Sequence, residues 1–460
     1  MSPKPKLNLF DLTMIVIGLV IGMGIFRTSK DAAQAALTPT IFFAAWVVGG
    51  FVALCGALTY AEIGSRYPVT GGYYRVFSYA YHPSIAFAIN CIILISNAAS
   101  LSGVALIGSE YIAPILFREG ASQTVFSMQS IGLDVSVQTL IAIVAIILFY
   151  GVNLMGLRMS SKTQNVLMLI KIGMLLVLIS ALFFPHLYNT QPAKIVDLET
   201  TSFGIVLLSF GVALKATSFT YGGYQQTINF GEEVQNPTKT IPRGIFIGIT
   251  VIIISYLLVS YSYYNIIGFD QLKNPDPNSP GIAAIIAEKM FGPPGKYISS
   301  ILLFVAVLAY VNVLLLSNPR VMYAMSEDGI LPASFRKRDE KKDVLTVSLT
   351  VFAAVCIIVL FFAKTFDKIL SFTIFLDSIG MATSAATIFI LRKRTRHLDG
   401  TGIYKIKLYP IMPIIFIATY IFVGIMIGVD NWKYAVTGLS VFTAFLLLYF
   451  VTKKFRTQKS

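Results

Sequence analysis

Two short glycine-rich stretches hold the residues best suited to chemistry in this chain. The first is Val20, Gly22, Met23 and Gly24, followed by Ile25 and Phe26; the second runs from Phe219 through Thr220, Tyr221, Gly222 and Gly223 to Tyr224 and Gln225. Both lie in the middle of apolar segments. Glycine lacks the β-carbon that favours regular helix, and glycines this close together read as an interruption. Opening a helix leaves amide N–H groups unpaired where the next half begins, at the positive end of its dipole. A carboxylate fits there, bound by backbone. The second break leaves carbonyls at the end of its outer half-helix, and carbonyls accept from an ammonium group. Together the two breaks offer complementary ends for a zwitterion, such as an α-amino acid. The plainer alternative is that the glycines only let helices pack closely.

Charged residues inside apolar segments are the next candidates. Lys171 stands about eight residues into its segment, or roughly 12 Å at the helical rise. A lysine this deep is costly unless paired or solvated, and such charges are functional by default. The alternative is an ammonium that snorkels to an interface. Lys215, shortly before Gly222, reads equally as a vestibule charge that repels cations or as an interfacial lysine. Glu62, Glu232 and Glu233 fall at segment ends near Arg66, Arg75, Lys239 and Arg243. They read either as a gate of ion pairs or as solvated helix ends, where exposed pairs contribute little. His82, His186 and His397 form no ligand set, so no metal or cofactor is expected. There is no phosphate-binding loop, no Ser/His/Asp arrangement and no pair of catalytic carboxylates, so the chain does not read as an enzyme.

The elements that must position these residues follow from composition. Of 460 residues, 56% are hydrophobic and 13% charged, with a mean hydropathy of +0.74. Soluble domains are ~45–50% apolar and ~25% charged. The chain is therefore an all-α integral membrane protein. Helices of ~20 apolar residues cross a bilayer, and twelve candidates occur: 12–36, 41–64, 84–112, 133–153, 163–184, 203–230, 244–267, 297–324, 344–362, 367–391, 407–428 and 432–452. A shorter helix is expected around 281–291. The net charge of +14 is a matter of topology and does not point to nucleic acid. With both termini placed inside, about two-thirds of the Lys and Arg residues fall in inner segments, as the positive-inside bias requires. The expected location is thus a cell membrane, with residues 1–11 and 453–460 cytoplasmic. The breaks occupy spans one and six. That spacing predicts two five-helix halves of inverted topology, 12–184 and 203–391, followed by two peripheral helices within 407–452. Cys55, Cys91 and Cys356 all lie in apolar segments, so no disulfide framework is expected.

At these residues the sequence resembles a known family. Gly22-Met23-Gly24-Ile25-Phe26 is similar to the helix-one signature of the amino acid-polyamine-organocation superfamily. Glu62 with Pro68, Thr70, Gly71, Gly72, Tyr73 and Tyr74 resembles its loop after span two. Phe219 to Gly223, then Glu232, Glu233, Asn236, Pro237 and Pro242, resembles its sixth span and exit. Asn318 to Pro332, including Arg320 and Tyr323, resembles the stretch after span eight. These motifs cover about three-quarters of the chain, and the Tyr-Gly-Gly break looks most like the L-type amino acid transporters and their bacterial relatives. The resemblance implies a LeuT-type fold with a 5+5 inverted repeat. It implies that Met23 and Gly24 offer amides to a substrate carboxylate, with Gly22 opening the turn. It implies that Val20, Phe219 and Gly222 offer carbonyls to the amine, with Phe219 as an outer gate. Thr220, Tyr221 and Gly223 belong to the same stretch, and Tyr224 and Gln225 would shape the side-chain pocket. Lys171 resembles the fifth-span lysine of sodium-independent members. It would brace the first break through carbonyls near Gly18 and Val20, with Ser317 and Asn318 as neighbours. Glu62, Glu232, Glu233 and Arg320 would form the inner gate.

The function expected is secondary transport of L-amino acids by alternating access, as a sodium-independent exchanger or proton-coupled symporter. A neutral substrate is expected because neither break carries an acidic residue. Cationic amino acid or polyamine transport on the same fold is the alternative. A channel is the distant one, since it would need a continuous polar lining. The partners expected are the small-molecule substrate and membrane lipid. Mammalian L-type relatives join a glycoprotein through a cysteine in the loop after span three; residues 113–133 contain none, so no disulfide-linked heavy chain is expected.

Overall fold

The structure, a computed structural model, describes residues 7–22, 24–117, 124–128, 133–189, 191, 201–275, 281–362, 366–430 and 432–457. Asn8 and Asp11 start the first helix as a reciprocal cap, the Asp11 amide donating to Asn8 Oδ1 at 2.9 Å and the Asn8 amide to Asp11 Oδ2 at 3.2 Å. Amides that a helix start would leave unpaired are thereby satisfied. Span one runs Leu9–Val20, stops, and resumes as Gly24–Ala35. Span two, Pro39–Arg66, opens behind a Thr38 cap with Pro where a missing N–H costs nothing. Spans three to five are Pro83–Leu116, Val137–Leu154 and Leu157–Ser180.

Span six is Phe203–Tyr221, after which the chain continues as a tight 3-10 turn, Tyr224–Asn229. Spans seven to twelve are Pro237–Ile267, Pro293–Glu327, Thr346–Phe362, Phe366–Arg394, Ile411–Asp430 and Trp432–Thr457. The short helix expected near residue 281 is present as Ile282–Phe291. Two elements were not anticipated: a helix Gly72–Ala80 between spans two and three, and an antiparallel hairpin, Thr124–Met128 with Leu133–Ser136.

Among the described residues, ten helices are long and apolar enough to cross a membrane, and two shorter apolar ones, Thr346–Phe361 and Ala435–Val451, bring the number to twelve. Their outward faces carry large apolar side chains: Val144 is 63% exposed, Leu176 59% and Val429 64%. Contiguous apolar surface of this kind is rare on soluble monomers and belongs against lipid. Inside, Trp46 meets Tyr221 and Tyr256 edge-on at 5.8 and 5.9 Å. Such aromatic pairs add ~0.5–1.5 kcal/mol each beyond burial, and here they fix span two against spans six and seven.

At one end of the bundle the chain before span one is tied to the chain after span six. The Leu7 amide donates to the Glu233 carbonyl and the Gln235 amide to the Leu7 carbonyl, both at 2.9 Å. Leu7 and Val234 thus form a single parallel bridge.

Candidate functional site

The two breaks face one another. In span one the helix ends at Val20, the Gly22 amide folds back onto the Val20 carbonyl at 2.8 Å, and the second half starts at Gly24. In span six the Gly222 amide closes onto the Phe219 carbonyl at 3.1 Å. Gly223 then turns the chain at φ +119°, where a β-carbon would run into the Leu19 carbonyl. Only glycine fits that conformation and that approach. Past it, the Gln225 side chain accepts from the Gly223 amide at 2.9 Å. Each interruption is therefore held by specific bonds.

Gly24 is also a contact point. A β-carbon there would lie 2.7 Å from both Thr220 Cγ2 and Oγ1 and 2.9 Å from Thr220 Cα. Thr28 donates to the Gly24 carbonyl at 2.7 Å and shares a 2.5 Å hydrogen bond with Thr220. The outer half of span one is thus locked along span six. The glycine is used for the break and for close packing together.

Between the breaks lies a small cavity. It is lined by Val20, Gly22, Gly24, Phe219, Thr220, Gly222, Gly223 and Gln225, which the sequence had nominated. Met23 lies outside the described residues. Tyr221 and Tyr224 do not line the cavity. The Tyr221 hydroxyl donates to the Trp46 carbonyl at 3.3 Å, and Tyr224 packs edge-on against Tyr60 at 6.0 Å. Both rings face span two. The lining also includes Gln226, next to Gln225, together with Asn97 and Ser100 of span three, Tyr310 of span eight and Asp377 of span ten. Asn97 accepts from Gln226 at 3.0 Å and donates to Asn318 at 2.7 Å, while Ser100 and Tyr310 share a bond at 2.9 Å. Ser96 donates to Asp377 Oδ1 at 2.7 Å. Asp377 had a readable signal: it is an ionisable residue inside an apolar span, the criterion that singled out Lys171.

Lys171 is fully buried and its ammonium donates to the Ile21 carbonyl. It therefore braces the first break and does not snorkel. The accepting carbonyl is neither that of Gly18 nor that of Val20, because the helix has already unwound at Ile21; the Val20 carbonyl instead accepts from Tyr256 at 3.3 Å. Ser317 is engaged elsewhere, accepting from Asn229 at 3.2 Å. Lys215 does not line the cavity.

The end of the bundle that carries Leu7 is closed by buried ion pairs. Glu62, fully buried, accepts from Arg66 Nε at 2.7 Å, from Arg392 Nε and Nη2 at 2.7 and 2.6 Å, and from the Ile406 amide at 2.8 Å. Arg66 continues to Thr395 and Asp399, both at 3.0 Å. Hydrogen bonds from Lys405 and Arg66 hold the Asp399 carboxyl below the usual carboxylate range. Glu233 binds Arg320 at 2.7 Å. Glu232 is exposed and accepts from Thr70 at 2.9 Å, so it takes part through a hydroxyl and not through the basic residues beside it in sequence. Arg75 pairs with Glu327 at 2.5 Å and with Asp328.

A bundle of membrane-spanning helices, with two of them interrupted around a shared polar cavity and one end sealed by ion pairs, is the architecture of a multi-pass membrane transporter. The family model described as Amino acid permease matches residues 7–452, and the chain belongs to that family, whose known fold is LeuT-type. It is similar to the serine/threonine exchanger SteT of Bacillus subtilis, at 27% identity over 91% of this chain and 90% of the relative. It is also similar to the branched-chain amino acid permease BcaP of the same organism, at 26% identity over 98% and 93%. The human large neutral amino acids transporter small subunit 2 is 23% identical over 97% and 80%. The chain is an amino acid transporter and not an enzyme.

Proposed function

We propose that the chain carries α-amino acids across a cell membrane by alternating access, gripping the zwitterion between the two breaks and working without sodium. The observation that carries this reading is the pair of opposed half-helix ends on one cavity: amides of the Gly24 end for the carboxylate, carbonyls of the Phe219 end for the amine. The sodium-independent part rests on Lys171, whose ammonium occupies the position of a fixed cation against the Ile21 carbonyl. Spans one to five and six to ten act as two inverted halves, with spans eleven and twelve peripheral. The ion-paired end faces the cytoplasm, following the basic bias of its loops. All three cysteines lie within spans, which favours a chain that works without a disulfide-linked partner. Asp377, on span ten, adds an acidic residue to the cavity that the neutral-substrate expectation did not include.

The test is counterflow in proteoliposomes with the standard amino acids, in sodium and in choline. Saturable exchange of at least one amino acid, unchanged by choline, is expected. Linear, non-saturating flux or an absolute sodium requirement would refute the carrier and the lysine roles respectively.

A further inference from the structure

Asp377 is the one lining residue with a carboxyl side chain among the described residues; the others are apolar, amide, hydroxyl or backbone groups. It is partly accessible, its Oδ1 takes a hydrogen bond from buried Ser96, and no Lys, Arg or His pairs with it among the described residues. Lys171, the nearest thing to an intramembrane counter-ion, is committed to the Ile21 carbonyl. A carboxylate in a membrane-embedded cavity is expensive without a partner of opposite charge. Met381, one helical turn on from Asp377, lines the same cavity, as do the rings of Tyr310 and Tyr420. An aliphatic stem can lie along Met381 and these rings with its charged head at Asp377.

We infer that Asp377 determines specificity by receiving the cationic side chain of an α-amino acid such as lysine, ornithine or arginine. The inference rests on the cavity being the amino acid site. A zwitterion held at the two breaks brings no net charge and leaves Asp377 uncompensated. A cationic side chain supplies the missing charge where the low dielectric makes the pair strongest. Ser96 orients the carboxylate and leaves its other oxygen for the substrate.

The purified full chain in proteoliposomes is assayed by counterflow of lysine, ornithine, arginine, serine, leucine and putrescine. Wild type is expected to exchange the cationic amino acids at least about tenfold faster than serine or leucine, the scale of one charge-assisted bond. Asp377→Asn keeps an oxygen for Ser96 and removes the charge. It should lower the cationic-to-neutral ratio by about 10- to 100-fold. Exchange of neutral amino acids alone by wild type, or an unchanged ratio in Asp377→Asn, overturns the inference and leaves the transport reading standing. Putrescine exchanging as fast as lysine overturns the α-amino acid part, since it has no carboxylate. No counterflow of any amino acid defeats the transport reading itself. Should the variant fail to fold, the wild-type profile decides.

Discussion

Gly24→Ala tests whether the two half-helices meet as closely as described. The added carbon would stand 2.7 Å from Cγ2 and Oγ1 of Thr220 and 2.9 Å from its Cα. Carbon contacts settle at ~3.5–4.0 Å, so the helices must part by roughly 0.8–1.3 Å. Thr220 cannot simply rotate away. Its hydroxyl lies within hydrogen-bond distance of both the Ala216 carbonyl, at 2.9 Å, and the Thr28 hydroxyl. Overpacking of this kind costs ~1–3 kcal/mol, and alanine's better helix propensity returns at most ~1 kcal/mol. A net loss of roughly 1–2 kcal/mol is expected. The same displacement moves the Gly24 amide away from a bound carboxylate. Losing one hydrogen bond to a charged group should weaken amino acid binding by about 10- to 100-fold. Thermal unfolding in detergent reads the first effect, and equilibrium binding of the best substrate found by counterflow reads the second. Gly204→Ala is the control, because nothing lies within 4 Å of its added carbon. Adding Thr220→Ala to Gly24→Ala should recover part of the stability, since two of the three crowding atoms disappear. A Gly24→Ala protein that melts and binds like wild type would refute both the contact and the carboxylate assignment.

Further predictions concern charges. Lys171→Met should leave stability within about 1 kcal/mol, because the ~2.5–3.5 kcal/mol cost of a buried lysine and its charge-assisted bond nearly offset. Transport should nonetheless fall at least about tenfold as Ile21 loses its brace; near-normal flux would leave Lys171 a bystander. Glu62→Gln leaves Arg66 and Arg392 without their shared anion and should destabilise the protein by ~3 kcal/mol, the scale for breaking a buried pair, measured by denaturant or thermal unfolding. Asp399→Asn should matter only where the carboxylate is ionised. Its folded pKa is depressed, so its stabilisation is complete above the unfolded value of about 3.9 and is lost as pH falls through the lower folded value. Melting curves of wild type and Asp399→Asn should differ above about pH 4 and converge under more acid conditions.

The breaks were legible because glycine spacing is a local signal, and Gly22, Gly24, Gly222 and Gly223 all reach the cavity. Lys171 was legible because a lone charge in an apolar run is conspicuous. Its partner was legible to within one residue: the acceptor is the Ile21 carbonyl, next to Val20. Faces beyond Gly223 were hidden: past its positive φ the helical period no longer applies, and Tyr224 stays out of the cavity that Gln225 enters. Glu62 could be matched with Arg66 from i,i+4 spacing, whereas Arg392 reaches it only through the packing of span ten on span two. Asp377 met a stated criterion and was passed over; only the fold links it to Ser96 and to both breaks.

The small bridge at Leu7 has a mechanical corollary. Two backbone bonds couple the threshold of span one to the exit of span six, so the inner halves of the broken helices cannot swing independently. Rocking that opened this end of the cavity would carry both together, breaking the ion pairs of Arg320 and Arg392. A short peptide clasp outside the cavity thereby ties the ends of the two broken helices together.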